Sequence, residues 1–441
     1  MKPRRHHRPY RHAHCAALLA LLLCSAPALA QLQLPSLNLP LPQRLGPLDT
    51  DVVRDRAERL LERAPLSDLR HLRLEQVGRL LQRHPDLLEA DPRGEPAVRG
   101  EILAWSPAPS ALAAAGVSVI REERLAPLGV TVLVLRVPAG AATAAVLEQL
   151  RSLDPEGGYD FNHVYTGSGS TRAAEAVQGA GAPGGQPGRP AQVGLVDGGV
   201  DSGHEVFRES RVRRWGCGDA SYPSAHGTAV GALMVGKAER FRGVMPGATL
   251  FAADIYCDRP TGGSADRIAA ALGWLAAQDV GVINISLVGP PNRLLERVVG
   301  AMVGRGHLLV AAVGNDGPAA PPLYPASYPG VVGVSAVDRA GRVLPEAARG
   351  PQVMFAAPGH HMVSAAPGTP PWRTVRGTSF AAPIVAAMLA GSLARPDPAR
   401  AGDALQALAQ QASGSAANTV SNVLGHGVVG AAFRTDPSAF R

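Results

Sequence analysis

From residue 193 onward, short apolar runs alternate with longer stretches whose apolar positions recur at helical spacing. The runs 193–196, 249–255, 282–287, 308–313 and 331–334 are almost free of polar residues, which predicts strands covered on both faces. Residues 228–235, 265–277, 294–303 and 379–393 read as the helices between them. Such alternation predicts an α/β domain built on a parallel sheet flanked by helices. It places reactive groups at strand C-terminal ends and helix N-termini.

The earlier part of the chain is patterned differently. Residues 101–105, 117–122, 130–137 and 159–165 read as strands, and 109–115 and 141–153 as helices. That β-α-β-β-α-β order predicts a small ferredoxin-like α+β domain over 100–165. Within 31–99, residues 31–49 are rich in Leu, Pro and Gln and read as a linker. Val53, Ala57, Leu60 and Leu61, then Leu74, Val77, Leu80 and Leu81, predict a helical pair. Residues 166–190 are crowded with Gly, Ala and Pro and predict a flexible linker, open to nicking.

Composition adjusts this picture at the ends. The chain has 441 residues, enough for two or three domains, with 46% apolar but only 4% aromatic residues, so its core must rest on Ala, Val and Leu. Residues 1–30 carry a basic head, a short apolar run and the exit Ala28-Leu29-Ala30, the pattern of a secretory signal. A lipoprotein signal at Cys24 is the competing reading. Leu23 before it is too large, which favours cleavage after Ala30. The run is too short for a stable membrane anchor. The five cations of residues 1–30 stand against no acid, so their removal lowers the net charge from +7 to +2. That balance argues against a nucleic-acid surface. His6, His7, His12 and His14 fall in the same leader. Of the four cysteines, Cys217 and Cys257 remain. In an oxidising compartment they suggest one disulfide, with two separate buried thiols as the alternative. Neither has a metal-like neighbourhood.

Four separated sequence words carry candidate chemistry. Asp197 closes a predicted strand and is followed by Gly198-Gly199. His226 opens a helix of small residues in HGTAVGALMVG. Asn315 follows a strand in AAVGNDGP. Ser379 begins an Ala-rich helix in GTSFAAPIVAAMLAG. Taken singly, a turn-capping Asp, a structural His or an N-cap Ser is the plainer reading. Together they supply the parts of serine-mediated amide hydrolysis: nucleophile, base, orienting carboxylate and oxyanion donor.

The order Asp, His, Asn, Ser and the wording around each residue resemble the subtilisin-like (subtilase) family over about residues 191–430. NISL at 284–287, YPASYPGVVGVSAVD at 324–338 and AAPG at 356–359 are similar to family segments. The resemblance implies a subtilisin-like catalytic domain at 191–441. Ser379 would be nucleophile, His226 general base and then acid, and Asp197 the orienting carboxylate. Asn315 and the Ser379 backbone N–H would form the oxyanion hole. It implies a cleft that takes an extended peptide between Ser286, Leu287, Val288 and Gly289 on one edge and Gly262 and Gly263 on the other. Ala312 and Gly314 would wall a primary pocket. Peptide or protein substrates would be the partners, no cofactor would be needed, and the chain would be an exported monomer, periplasmic or secreted.

The resemblance also gives 100–165 a role as an inhibitory propeptide-like region, freed by autocleavage within 166–190. A permanent accessory domain is the alternative. The sequence departs from the family at Gly198, Ala229 and Val288-Gly289-Pro290, which bears on cleft shape. The short stretch 236–247 leaves no room for the calcium loop of many relatives, so no metal site is expected. An esterase or transferase on the same triad is disfavoured by the lack of a GxSxG elbow. The alternative from another class is a non-catalytic scaffold whose cleft is permanently occupied.

Overall fold

The computed structural model describes residues 66–167, 170–173, 191–218, 220–414 and 419–440. The expected signal peptide, the Leu/Pro/Gln-rich segment and the first half of the helical pair lie outside these residues, as does most of the expected linker.

Helix α1 (Leu66–Arg83) leads into a sheet of β1 (Leu88–Ala90), β2 (Pro96–Trp105), β3 (Ser118–Leu125), β4 (Val130–Arg136) and β5 (Gly158–His163), with α2 (Pro109–Ala114) and α3 (Thr143–Leu153) in its connections. The four longer strands lie in the order β5-β2-β4-β3, every neighbour antiparallel. This is ferredoxin-like connectivity. Strand β4 explains its placement. Val130, Val132 and Val134 belong to one core cluster and Leu135 to another, because alternate side chains point to opposite faces. One face packs on the domain's own α2 and α3 region through Val146, Leu147 and Leu150. The other joins the core that holds Ile268, Leu272, Leu295 and Val298.

Those residues sit on α5 (Ala265–Ala277) and α6 (Arg293–Gly304), two of the helices of the larger domain, whose first helix is α4 (Ala225–Val235). Gly273 of α5 permits the close approach: a Cβ there would meet Leu125 Cδ2 at 2.7 Å. Arg121 pairs with the buried Asp266 across the same junction. At the start of α6, Asp160 accepts from the Arg293 backbone N–H at 2.7 Å, and Asn292 donates to Phe161 O at 2.9 Å and contacts His163 Nδ1 at 3.1 Å.

After β5 come two short strands, β6 (Thr166–Gly167) and β7 (Ser170–Ala173), and then the larger domain. Its strands are β8 (Gln192–Asp197), β9 (Arg211–Trp215), β10 (Thr249–Asp254), β11 (Val282–Ile285), β12 (Leu287–Val288), β13 (Leu308–Ala312), β14 (Val332–Val337), β15 (Val353–Pro358), β16 (Met362–Ala365) and β17 (Trp372–Arg376). Seven form a parallel sheet ordered β15-β14-β13-β11-β8-β10-β9. From β8 the chain turns first to β10 and β9 on one side and later to β11 on the other. The crevice beyond the carboxyl end of β8 is therefore the switch point where an α/β sheet binds its ligands. Helix α7 (Thr378–Ala390) runs almost wholly buried among Ala, Ile and Val, and α8 (Pro398–Gln411) follows it. A helix apolar all round must be enclosed by its own domain.

Three expectations shift. The small sheet begins at Leu88, before residue 100, because β1 is only three residues long and pairs with the first residues of β2, too short a run to show a strand period. Residues 166–167 and 170–173, read as linker, are strands that pair with β12 and β17. Thr-Gly and Ser-Thr-Arg-Ala carry no apolar signal; open sheet edges recruit them. Strand β9 was also invisible, since RVRRW is an edge strand with exposed arginines.

Candidate active site

Asp197 ends β8 and His226 opens α4. Ser224 caps that helix, its Oγ accepting the Gly227 N–H at 2.9 Å. Asp197 is buried, and its two carboxylate oxygens lie 2.8 and 3.0 Å from His226 Nδ1. The Gly198 N–H also donates to Oδ1, at 2.7 Å. Gly198 and Gly227 let α4 approach: a Cβ on Gly198 would lie 2.4 Å from Ser224 Oγ, and one on Gly227 2.1 Å from the Gly198 carbonyl. Burial disfavours the imidazolium, but the Asp197 charge and hydrogen bond outweigh it and raise the His226 pKa above its ordinary 6.5. The acceptor from Asp197 leaves Nδ1 protonated and Nε2 a base. That Nε2 is buried and makes no hydrogen bond among the described residues.

Ser379 is the second residue of α7. Gly377 before the helix has φ +128, a conformation that L side chains avoid. Pro383, four residues after Ser379, has no N–H to give, so the Ser379 carbonyl lacks its helical partner. Ser286 Oγ takes that place at 2.9 Å and is itself held by Asn284 Nδ2 at 2.8 Å. The Ser379 hydroxyl donates to Ser286 O at 3.4 Å. Phe380 brings the two helix starts together, its ring centroid 5.2 Å from that of His226. Asn315 Oδ1 accepts the Thr378 N–H at 3.1 Å, and Thr378 Oγ1 accepts the Gly314 N–H at 3.3 Å.

The chain's own segment runs through this crevice. Thr166 and Gly167 pair antiparallel with Val288 and Leu287, while the Tyr165 N–H donates to Gly263 O at 2.8 Å and Val164 bridges to Ser264. Residues 164–167 are thus the middle strand between the two expected cleft edges. Tyr165 is fully buried, its hydroxyl donating to Pro290 O at 2.6 Å. Gly289 makes room for it: a Cβ there would sit 2.5 Å from Tyr165 Cδ1. Gly314 has φ +100 and lies closest to Leu323, where a Cβ would sit 2.6 Å from Cδ1, with Val288 Cγ1 at 3.6 Å; Ala312 is buried at the end of β13. Gly262 touches the Tyr256 backbone instead of the tail. Beyond Gly167 the chain reappears as β7 against β17, with Ser170 opposite Arg376.

Cys217 and Cys257 form a disulfide that ties the end of β9 to the loop carrying Gly262 and Gly263. The sequence reading passed over Asn284, Thr378, Pro383, Ser224 and Tyr165. The first three lie inside the words it quoted, and only the fold shows what they hold. No helix among the described residues is long and apolar enough to cross a membrane.

Residues 188–427 match the Peptidase_S8 family model, described as the subtilase family. Subtilisin-like protease 1 of Trichophyton rubrum is 36% identical over 209 residues, 44% of this chain and 40% of its own. Subtilisin E of Bacillus subtilis is 31% identical over 218 residues, 46% of this chain and 55% of its own. The chain thus matches about half, or less, of the length of these relatives. The crystal structure of fervidolysin from Fervidobacterium pennivorans, a keratinolytic enzyme related to subtilisin, superposes with a TM-score of 0.63 at 20% identity, covering 80% of this chain and 62% of that one. This last likeness speaks for the fold alone.

Proposed function

The chain belongs to the subtilase family, and on that premise we propose that it is an exported serine endopeptidase made as a precursor. The observation that carries this reading is the Asp197–His226 pair beside Ser379, with the chain's own residues 164–167 laid as a strand between both cleft edges.

In the proposed reaction Ser379 Oγ swings from Ser286 O to His226 Nε2, the open acceptor. Its proton passes to Nε2 as Oγ bonds to the peptide carbonyl carbon. The resulting oxyanion receives the Asn315 NH2 and the Ser379 N–H. As the C–N bond breaks, the amine leaves with the proton from Nε2. Water then cleaves the acyl-enzyme by the same base. Asp197 stays ionised throughout, holding the tautomer and stabilising the imidazolium.

The βαββαβ unit with its tail is proposed as the propeptide. Its strands β6 (Thr166–Gly167) and β7 (Ser170–Ala173) pair with β12 and β17. The bond proposed for cleavage lies between these two strands. Mature monomeric protease would then start within residues 168–170 and act on peptide or protein substrates.

A fluorophosphonate probe tests the chemistry: it should label Ser379 of the processed wild type and leave His226→Ala unlabelled. Failure to label the processed protein would leave a non-catalytic scaffold. N-terminal sequencing tests the processing. A start within residues 168–170 supports it, and active protein starting at residue 31 refutes it.

A further inference from the structure

Resting on the protease reading, the geometry points to a cation-selecting subsite beside His226. We propose that this cavity takes the lysine or arginine side chain of the substrate residue standing in the place of Gly167, with Asp254 and Asp258 as its specificity-determining carboxylates.

The cavity measures about 520 Å³ and is lined by Gly167, Asp197, His226, Asp254, Asp258 and the two tyrosines Tyr222 and Tyr256, among others. Its charged groups are three carboxylates against one imidazole. The chain's own tail leaves it unfilled. A Cβ on Gly167 would touch nothing nearer than His226 Nε2, at 3.8 Å, so a longer side chain there has space.

Asp254 is more than nine-tenths buried at the end of β10. Its Oδ1 accepts the Tyr256 and Cys257 N–H groups, each at 3.0 Å, which fixes the carboxylate in the turn. Oδ2 accepts no hydrogen bond among the described residues, and it lies against Gly199, another wall residue, where a Cβ would come within 2.8 Å. Burial and then the Asp197 charge push the Asp254 pKa up, so an incoming cation would meet an unmet demand. Arg267 acts on Asp254 from α5, but its guanidinium lies 4.9 Å from the Trp215 ring centroid and faces a different cavity. Asp258 is exposed at the rim. Tyr222 is 43% exposed and presents an aromatic wall on which a cation can rest. A long apolar stem passing the rings and a charged head among carboxylates describe a lysine or arginine.

The test uses the mature protease and quenched peptides Val-Tyr-Thr-X-Ser-Gly-Ser-Thr, the chain's own residues 164–171 with X at position 167. Arg or Lys at X should raise kcat/KM on the order of tenfold over Ala, and Glu should fall below Ala. Asp254→Asn and Asp258→Asn should each shrink the Arg-to-Ala ratio. Asp258→Lys, at an exposed position that does not threaten folding, should raise Glu relative to Arg. An Arg-to-Ala ratio of one or less, or one unchanged in the Asp258 variants, overturns the inference while leaving the protease reading intact. Loss of all cleavage together with an unlabelled Ser379 overturns both.

Discussion

Ser286 and Ser379 are joined twice: Ser286 Oγ donates to the Ser379 carbonyl at 2.9 Å, and the Ser379 hydroxyl donates back to the Ser286 carbonyl at 3.4 Å. The first bond exists because Pro383 cannot serve that carbonyl. A residue on the substrate edge therefore sets the start of the helix that carries the proposed nucleophile. Ser286→Ala removes the hydrogen bond that this hydroxyl gives the buried carbonyl, at a cost of about 0.5–1.5 kcal/mol. A urea midpoint lowered accordingly, with kcat reduced more than KM is raised, is the expected result. An unchanged midpoint would mean that another donor satisfies Ser379.

The His226 pKa lies above 6.5 because Asp197 outweighs burial. As the proposed base, His226 works only when neutral, so kcat/KM should climb with pH through a value above 6.5. Asp197→Asn should move that limb downward and cut kcat by roughly 10⁴, as the loss of the orienting carboxylate does in serine proteases. A pH–rate profile of both proteins decides it. An acid limb at the same pH in both would separate the limb from this pair.

Gly289 admits the ring of Tyr165. In mature protease, Gly289→Val should lower kcat/KM for peptides with Tyr in the place of Tyr165, since an added side chain in filled space costs about 1–3 kcal/mol. Peptides with Ala there should be spared. Equal losses for both peptides would point to general damage of the cleft.

Burial works against the charged form of Asp91, but hydrogen bonds from His163 and from the Glu95 and Arg93 N–H groups prevail and hold its carboxyl well below the ordinary 3.8. A depressed folded-state pKa contributes stability above the unfolded value, and that contribution is lost as pH falls toward the folded one. The Ser379→Ala precursor should therefore lose urea resistance between about pH 5 and pH 2. Asp91→Asn should flatten that loss. Parallel pH slopes for the two would remove Asp91 from the account.

The relation of sequence to site is uneven for a physical reason. Asp197, His226, Asn315 and Ser379 could be read because each needs a particular local setting, such as a strand end, a helix start or a glycine at positive φ, and local settings leave local words. The five core strands were legible because a strand covered on both faces must be apolar throughout. Strand β9 and the tail strands at 166–167 and 170–173 were not. An edge strand is held by backbone hydrogen bonds to a neighbour, and these impose no side-chain pattern.

By itself, the chain's order of residues determined the α/β domain, the β-α-β-β-α-β unit before it and the residues able to carry acyl transfer, since periodicity and turn chemistry act over a few residues. The tertiary structure decided what lies against what. It threaded residues 164–167 between Gly263 and Val288, substituted Ser286 for the proton that Pro383 lacks and left Asp254 facing a cavity above Gly167. These are contacts between residues far apart in the chain, 125 positions for Tyr165 and Pro290. They arise only when the sheet has closed and its edges have found partners.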